Sequence, residues 1–486
     1  MIRMLSEAIE RHARIGRIFR DAQAAKEALG PAESREWGRQ LRDQFPLEDH
    51  ATWSVPETRE DPVALLHSQD ETRIQELVPL RHKRMAVSPF TFYRGAALIM
   101  ASDLSHTPST GITVQACGDA HIANFGMFMS PEGRMVFDMN DFDETAPGPW
   151  EWDIKRLVTS VEICGRDRGF SKKERNDAIR LCAQSYRTSM RNFAKMGNLE
   201  VWYDHVDLAE LLELLSDDAS SEDRKQAKRA LKKMRSKNNT RAAEKLTEEV
   251  DGHLRFKSMP PTLVPWREMI GTIKWGNTLG SDGAMRLLDL GLAEYRDTMR
   301  PETRNMMRHY NGVDVAHKVV GVGSVGTHAL VVALEGTSLK DPLILQVKEA
   351  QESVLERFCG KCEQAHHGQR VVEGQRALQA VSDALLGWCS LPDENGRLRD
   401  FYVRQLWNGK GSVDLSVIDA EHLSGLAAVC GWTLAHAHAR TGNRFAIASY
   451  LGKKKTFDRA MVKFARAYAD QNEADYQHFV ESLKSE

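Results

Sequence analysis

The chain is organised around the stretch Cys117-Gly118-Asp119-Ala120-His121-Ile122-Ala123-Asn124, which is followed at a short distance by Asn140-Asp141-Phe142-Asp143. The first stretch comes directly after Ile112-Thr113-Val114, an apolar run that indicates the end of a strand. Between the two stretches, two apolar runs are joined by Ser130-Pro131-Glu132-Gly133, and this Pro-x-Gly link predicts a hairpin. We therefore expect the hairpin to return the second polar stretch beside the first.

Side chains of these types suit phosphoryl transfer. A buried loop that carries Asp, His and Asn is costly unless these groups meet a partner such as a metal ion or a substrate. In phosphoryl transfer, one carboxylate receives the proton of the attacking hydroxyl, while an amide and a second carboxylate hold magnesium. The pattern Asp-x-His-x-x-Asn, followed by Asp-Phe-Asp, supplies such a set.

The composition permits this chemistry without pointing to it. The 66 basic and 68 acidic residues nearly cancel, so no overall field favours nucleic acid or an anionic membrane as a partner. Seven cysteines without regular spacing suggest a reducing compartment. The first residues lack the apolar core of a signal peptide, and no apolar run is long enough to cross a bilayer. We expect a cytoplasmic protein.

A second motif lies some two hundred residues later, at Gly321-Val322-Gly323-Ser324-Val325-Gly326. A dinucleotide-binding fingerprint would open a helix, but the apolar run Thr327–Leu334 predicts a strand instead. Strand, glycine loop and strand is the arrangement that covers the phosphates of ATP in protein kinases. The alternative is a glycine-rich hairpin without a ligand. The next strand ends its apolar run on Lys348, which is costly there unless an anion receives it, and in a kinase this lysine holds the α- and β-phosphates.

Two further predictions complete the expected nucleotide site. Five glutamates could pair with Lys348, and we favour the last because it lies among the apolar positions of a patterned helix: Glu349, Glu352, Glu356, Glu363 and Glu373. The run Phe401–Leu406 predicts a strand leading to the hinge where adenine docks, which makes Gln405 and Leu406 nucleotide-binding candidates. The basic cluster Arg81-His82-Lys83-Arg84 could grip an anionic substrate or a nucleotide phosphate, or it could form a solvated face.

Several stretches resemble a bacterial family, that of domain of unknown function 2252, from about residue 60 to the end. They are Ser88-Pro89-Phe90, Tyr93-Arg94-Gly95, Gly118–Gly126, Asn140–Glu144, Trp152–Leu157, Gly321–Gly326 and Tyr402–Gln405. The family is regarded as a distant relative of aminoglycoside phosphotransferases, choline kinases and other kinase-like folds, whose catalytic loop reads His-Gly-Asp-x-His-x-x-Asn. The resemblance implies a base at Asp119, magnesium ligands at Asn124 and Asp141, and a structural role for Asp153. Cys117 stands in place of the first His.

The order of the parts is unusual for a kinase-like chain. The expected catalytic loop, Cys117–Asn124, and the expected magnesium loop, Asn140–Glu144, precede the glycine loop. The helix ending at Arg440 resembles the one that normally leads into the catalytic loop. We therefore predict an α+β, two-lobed protein-kinase-like fold that is circularly permuted, which folds tolerate when the new ends lie in exposed loops. The expected segments are a peripheral helical arm at 1–60, a helical catalytic lobe at 61–304, a small antiparallel-sheet nucleotide lobe at 305–410 and completing helices at 411–486.

The predicted function is ATP- and magnesium-dependent phosphoryl transfer to a hydroxyl of a small-molecule acceptor, with no nucleic acid or membrane partner. The alternatives are a nucleotide-binding regulatory protein without turnover, and nucleotidyl transfer by a kinase-like fold. The candidate residues are Asp119, His121 and Lys348 for catalysis, Gly321, Gly323, Ser324, Gly326, Lys348, Glu373, Gln405 and Leu406 for the nucleotide, and Asn124, Asp141 and Asp143 for the metal.

Overall fold

A computed structural model gives the structure of the chain. It describes residues 29–207, 239–269, 274–319 and 325–484, apart from 394 and 410, together with residues 321 and 323. The first 28 residues of the predicted arm and Ser324 of the glycine loop lie outside the described residues. The fold is α+β, as the sequence predicts.

The largest core is helical. Its central element is the helix Trp150–Asp167, whose residues are buried from Trp150 to Gly165, as expected for a helix enclosed on all sides. Long helices surround it, and Ser171 and Glu174 form a capping box at the start of one of them. The helices that contribute to this core are Pro31–Gln44, Pro62–Asp70, Val78–Met85, Pro89–Arg94, Ala97–Ser105, Trp150–Asp167, Lys172–Phe193, Asn198–Tyr203, His367–Leu378, Ala420–Thr441, Arg444–Leu451 and Thr456–Ser482.

The second unit is a six-stranded antiparallel sheet. In spatial order its strands are Gly387–Pro392, Leu398–Gln405, Pro342–Glu349, Ala329–Glu335, Asn311–Lys318 and Leu263–Pro265. Successive side chains of a strand point to opposite faces. In Pro342–Glu349, the residues Leu343, Leu345 and Val347 therefore enter the core beneath the helix Lys274–Thr298, while Gln346 and Lys348 point to the other face.

The sheet unit begins earlier in the chain than the predicted boundary between 304 and 305. Strand Leu263–Pro265 is part of the sheet, and Leu288, Leu292 and Tyr295 of the helix Lys274–Thr298 share a core with its strands. Helical periodicity shows that a helix has an apolar face but not which layer that face covers. Here the helix covers an apolar sheet face that would otherwise meet water.

The described part of the predicted arm is not peripheral. Its helix Pro31–Gln44 packs against the helix Arg444–Leu451. Gly38 makes this close approach possible, because a Cβ atom there would lie 2.2 Å from the Ala446 carbonyl oxygen. Arg42 Nε donates to the Tyr450 carbonyl oxygen at 2.5 Å. The arm is charged because its outer face meets solvent, whereas its inner face is a packing surface.

Small sheets position the polar stretches. The predicted hairpin forms from Phe125–Met129 and Met135–Met139 and is extended by Val206–Asp207. It returns Asn140 beside Asn124, whose carbonyl oxygen accepts the Asn140 N–H at 2.8 Å. The remaining elements are the strand pairs Thr113–Ala116 with Ala146–Pro149 and Thr247–Val250 with His253–Phe256, the helices Asn239–Leu246, Trp266–Met269, Pro301–Met307 and Glu356–Cys359, and the 3₁₀ turns Asp49–Ala51, Gln75–Leu77 and Ile122–Asn124. Within the part of the chain that the structure describes, no helix combines the length and apolar character needed to cross a membrane.

Candidate active site

A cleft of about 500 Å³ lies between the helical core and the sheet. Both units line it, although their polar motifs lie about two hundred residues apart in the sequence. Nine of the thirteen candidate residues line this one cleft: Asp119, His121, Asn124, Asp141, Asp143, Gly321, Gly323, Lys348 and Leu406.

The loop that carries Asp119 is held from below by Asp153, in the first turn of the helix Trp150–Asp167. The N–H groups of Cys117 and Gly118 donate to the two Asp153 carboxylate oxygens, at 2.7 and 3.0 Å. His438 Nε2 lies 3.2 Å from the same carboxylate, close to the C-terminus of the helix Ala420–Thr441. Asp153 therefore fixes the loop through charge-assisted hydrogen bonds to its backbone, as the sequence predicts.

Asp119 sits in an environment that suits a proton acceptor near neutral pH. Burial raises its pKa to about 7, against the opposing effect of the Arg156 guanidinium, and the Asp141 carboxylate raises it further. Arg156 Nε donates to Asp119 Oδ1 at 2.5 Å, which also fixes the orientation of the carboxylate. His121 Nε2 lies 3.7 Å from Asp119 Oδ2. Burial, and after it the charges of Arg94 and Arg156, hold the pKa of His121 well below its usual value, so this imidazole is neutral at pH 7.

Asn124 and Asp141 are the residues that the family resemblance assigns to a magnesium ion, and both line the cleft. Asn124 Nδ2 donates to the Asp119 carbonyl oxygen at 2.8 Å, which ties the amide to the catalytic loop. Asp141 Oδ1 is buried, and among the described residues no donor gives it a hydrogen bond. The described ranges contain no group of three or more His, Cys, Asp or Glu side chains that could hold a metal ion. Mg²⁺ is usually held by one or two carboxylates and keeps several of its waters, so a site for it would not require such a group.

Lys348 reaches the cleft from the strand Pro342–Glu349 and meets two acids. Its Nζ lies 2.6 Å from Asp143 Oδ2 and 3.8 Å from Asp141 Oδ1. The Tyr402 hydroxyl donates to the other Asp143 oxygen at 2.7 Å. Burial disfavours the charged lysine, but the two carboxylates outweigh burial and raise its pKa. In this structure both Asp143 oxygens have protein partners, Lys348 and Tyr402, and the metal role that the sequence predicts for Asp143 stays a prediction.

The predicted pairing of Lys348 with Glu373 is wrong. Glu373 accepts hydrogen bonds from Gln364 and Gln369, at 2.9 and 2.7 Å, and does not line the cleft. The face of the helix His367–Leu378 that approaches the magnesium loop carries Arg370 instead, which donates to the Asp143 carbonyl oxygen at 2.8 Å. The apolar pattern of this helix located a buried face correctly, but Glu373 lies to one side of it.

Two other nucleotide candidates lie outside the cleft. Gly326 adopts a φ of +89°, and its carbonyl oxygen accepts the Ile74 N–H at 2.7 Å, so its role is to shape the turn. The Gln405 N–H donates to Asp383 Oδ2 at 2.8 Å, and this residue faces a small adjoining cavity. Leu406 does line the cleft, but its N–H donates to the Ile344 carbonyl oxygen at 3.0 Å.

Several functional candidates were missed from the sequence. Arg156 contacts Asp119 directly, and Arg73 and Arg94 line the cleft. The signal for Arg156 was present, because a charged residue among the apolar positions of a buried helix needs a buried partner. Arg73 and Arg94 carry no comparable signal, since an isolated arginine in a helical stretch is ordinarily solvated.

Comparison with known proteins places the chain in a family. No curated protein and no solved structure matches it. Residues 73–482 match the family described as "Uncharacterized protein conserved in bacteria (DUF2252)". This match includes the Asp119 loop, the loop Asn140–Glu144, the glycine loop and Lys348. Since it spans most of the 486 residues, the chain belongs to this bacterial family.

Proposed function

We propose that the chain is an ATP- and magnesium-dependent phosphotransferase that acts on a hydroxyl of a small molecule. The observation that carries this proposal is the 3.8 Å approach of Lys348 Nζ to Asp141 Oδ1, in the same cleft as Asp119. This approach joins the strand Pro342–Glu349, the second strand after the glycine loop, to the loop that follows the hairpin. A cation proposed to bind phosphate and a carboxylate proposed to bind metal therefore face the same space. A lysine, a metal-binding acid and a base in one cleft are the parts that phosphoryl transfer requires.

In this proposal the chain itself does three things. Asp119 accepts the proton of the acceptor hydroxyl, and its raised pKa makes it a competent base near neutral pH. Lys348 gives up part of its contact with Asp141 and Asp143 in order to hold the nucleotide phosphates. Gly321 and Gly323 line the cleft without side chains, so their backbone can come close to the phosphates. Asn124 and Asp141 would hold Mg²⁺, which neutralises charge on the transferring phosphoryl group when bound.

The fold we propose is a kinase-like one with its parts in permuted order. Two contacts support it. His438, near the end of the helix Ala420–Thr441, reaches the Asp153 that braces the catalytic loop, although the chain there runs on to its C-terminal helix. Gly442, directly after this helix, packs against Val114 of the strand that enters the catalytic loop. These are the positions expected if the unpermuted chain ran from one to the other.

A labelling experiment tests the proposal. The protein is incubated with Mg²⁺ and a metabolite mixture, once with γ-³²P-ATP and once with α-³²P-ATP. Transfer of the γ-label alone supports a phosphotransferase, whereas transfer of the α-label would favour nucleotidyl transfer. Nucleotide binding without any transfer would favour the regulatory alternative. Absence of nucleotide binding would overturn all three.

A further inference from the structure

The cleft carries more positive charge than a nucleotide site requires. Among the described residues, seven cationic and four anionic side chains line it, in a chain whose formal net charge is −2. The cations are Arg73, Arg81, Arg84, Arg94, Lys318, Lys348 and Arg404, and the anions are Asp119, Asp141, Asp143 and Glu144. Bound ATP would arrive with magnesium, which already neutralises part of its phosphate charge. Asp70, which lies outside the cleft lining, offsets one of these charges by pairing with Arg81, and a second bound anion would balance the excess that remains.

The cations form two groups with different origins. Lys318, Lys348 and Arg404 come from strands of the sheet, on the proposed nucleotide side. The four remaining arginines come from residues 73–94 of the helical unit, ahead of the Asp119 loop. Within this arginine group, Asp70 pairs with Arg81 at 2.8 Å and lies 3.5 Å from Arg73. Guanidinium groups bind carboxylate and phosphate oxygens in paired hydrogen bonds, which makes arginine the usual residue for such ligands.

Arg94 is the member of this group that points most clearly to a ligand. Its Nε is buried and has no hydrogen-bond partner among the described residues, and a buried donor without a partner is costly. The Nε atoms of Arg73 and Arg81 share this property, but those two arginines already have Asp70 beside them. The glycine loop packs beside it, because a Cβ atom on Gly323 would lie 3.6 Å from the Arg94 carbonyl oxygen. In the proposed function this loop covers the terminal phosphates, so the arginines stand at the end of the cleft where the acceptor approaches.

We propose that the acceptor is itself anionic, a hydroxyl compound bearing a phosphate or carboxylate group that Arg84 and Arg94 bind. The identification of this compound as the acceptor rests on the proposed function, but the anion site is inferred from the arginines alone. The adjoining cavity, of about 710 Å³, is lined by four arginines and six acids and offers no such excess. The anion site therefore belongs to the cleft, facing Asp119.

Calorimetric titration of inorganic phosphate tests the site. The wild-type chain is titrated alone, and again after saturation with Mg²⁺ and a non-hydrolysable ATP analogue. We expect phosphate to bind in both cases. Arg84→Gln and Arg94→Gln should each weaken phosphate binding about tenfold or more, because each removes a charge-assisted hydrogen-bonding group. Lys83→Gln is the matched control: it removes an exposed cation from the helix that carries Arg84, outside the cleft, and should leave phosphate binding unchanged.

Lys348→Ala separates the two sites. Phosphate binding that survives this change supports an anion site on the arginine side. Phosphate binding that is lost in Lys348→Ala, that stays at the wild-type level in both arginine variants, or that is absent in the wild type would overturn the inference. Failure of the ATP analogue to bind would count against the proposed function instead, and the titration of the chain alone would still decide the anion site. Melting curves of each variant verify that it is folded.

Discussion

Lys348 Nζ lies 2.6 Å from Asp143 Oδ2, and this pair connects the six-stranded sheet to the loop that follows the hairpin. Burial disfavours the charged Asp143, but the adjacent Lys348 ammonium outweighs it and lowers the pKa of the carboxyl. The pair thus keeps both groups charged without a ligand. A bound phosphate would compete with Asp143 for Lys348, so we expect nucleotide binding to rearrange this contact.

Lys348→Ala should remove most of the ATP-dependent stabilisation. A ligand that binds only the native state raises the melting temperature by mass action, and this variant lacks the cation proposed to hold the phosphates. Thermal melting with and without millimolar Mg·ATP measures the shift. Lys340→Ala is the control, because Lys340 is an exposed lysine in a turn of the same sheet. An equal shift in both variants would contradict the role given to Lys348.

Asp119→Asn should lower kcat by about 10²- to 10⁴-fold while the KM for ATP changes little. The amide keeps the shape of the side chain but cannot accept the proton, and general-base catalysis contributes about this much. Steady-state kinetics with the acceptor found in the labelling experiment measure both constants. Asp177→Asn, at an exposed carboxylate paired with Arg180, should leave them unchanged. Full activity of Asp119→Asn would show that another group is the base.

The pH dependence of kcat/KM should show an acidic limb with a midpoint near pH 7. Asp119 must be deprotonated to act, and its pKa is raised from its ordinary value to about 7, so activity should rise as pH increases through 7 and level off above it. Arg156→Gln should move this midpoint upward, because the guanidinium favours the charged carboxylate. A midpoint near pH 4, the ordinary range of an aspartate, would mean that the cleft does not raise the pKa of the catalytic carboxyl.

The sequence predicted the polar loops better than it predicted their surroundings. Asp119, Asn124 and Asp141 could be placed together because the hairpin signal lies between them in the chain, where local turn chemistry applies. The partner of Lys348 could not, since Asp143 and Lys348 are separated by about two hundred residues and no local pattern encodes their approach. The preference for Glu373 treated an apolar helix pattern as if it also gave the direction of one side chain.

The sequence also could not predict which layer of the fold each helix joins. The apolar pattern of Lys274–Thr298 predicts a helix, but its assignment to the sheet depends on Leu288 and Tyr295 meeting strands that lie later in the chain. For the basic cluster Arg81-His82-Lys83-Arg84, the sequence left open whether it forms a ligand site or a solvated face, because either would show the same run of basic residues. Burial of Arg81 beside Asp70 is what distinguishes them, and it is a property of the folded chain.

Asp153→Asn should destabilise the protein by about 2–4 kcal/mol, because one of two backbone N–H groups would lose its acceptor and meet an amide N–H₂ group. The native carboxylate is buried and also contacts His438 at 3.2 Å. Urea denaturation gives the free energy of unfolding. Asp167→Asn, on the exposed end of the same helix, should change it by less than about 0.5 kcal/mol. A similar small change for Asp153→Asn would contradict its bracing role.

A comparison of Gly118 with Gly111 isolates the contact between the Asp119 loop and the loop Asn140–Glu144. Both have a positive φ, +78° and +71°, so an alanine at either position adopts a strained backbone conformation. A Cβ atom at Gly111 would meet nothing within 4 Å, whereas at Gly118 it would lie 2.2 Å from the Glu144 carbonyl oxygen. That oxygen accepts a hydrogen bond from the Ser353 hydroxyl at 2.7 Å. A displacement of Glu144 would therefore also disturb Ser353, which lies outside the loop Asn140–Glu144.

We expect Gly111→Ala to lower the free energy of unfolding by about 1–2 kcal/mol, the cost of the left-handed conformation alone, without altering turnover. Gly118→Ala should cost about 3 kcal/mol or more, because backbone atoms cannot move aside as a flexible side chain does. It should also lower kcat, since the clash separates the catalytic loop from the magnesium loop. Urea denaturation and steady-state kinetics on the two variants measure these effects. Equal losses of stability, with turnover retained in both, would mean that the close contact of the loops does not hold the site together.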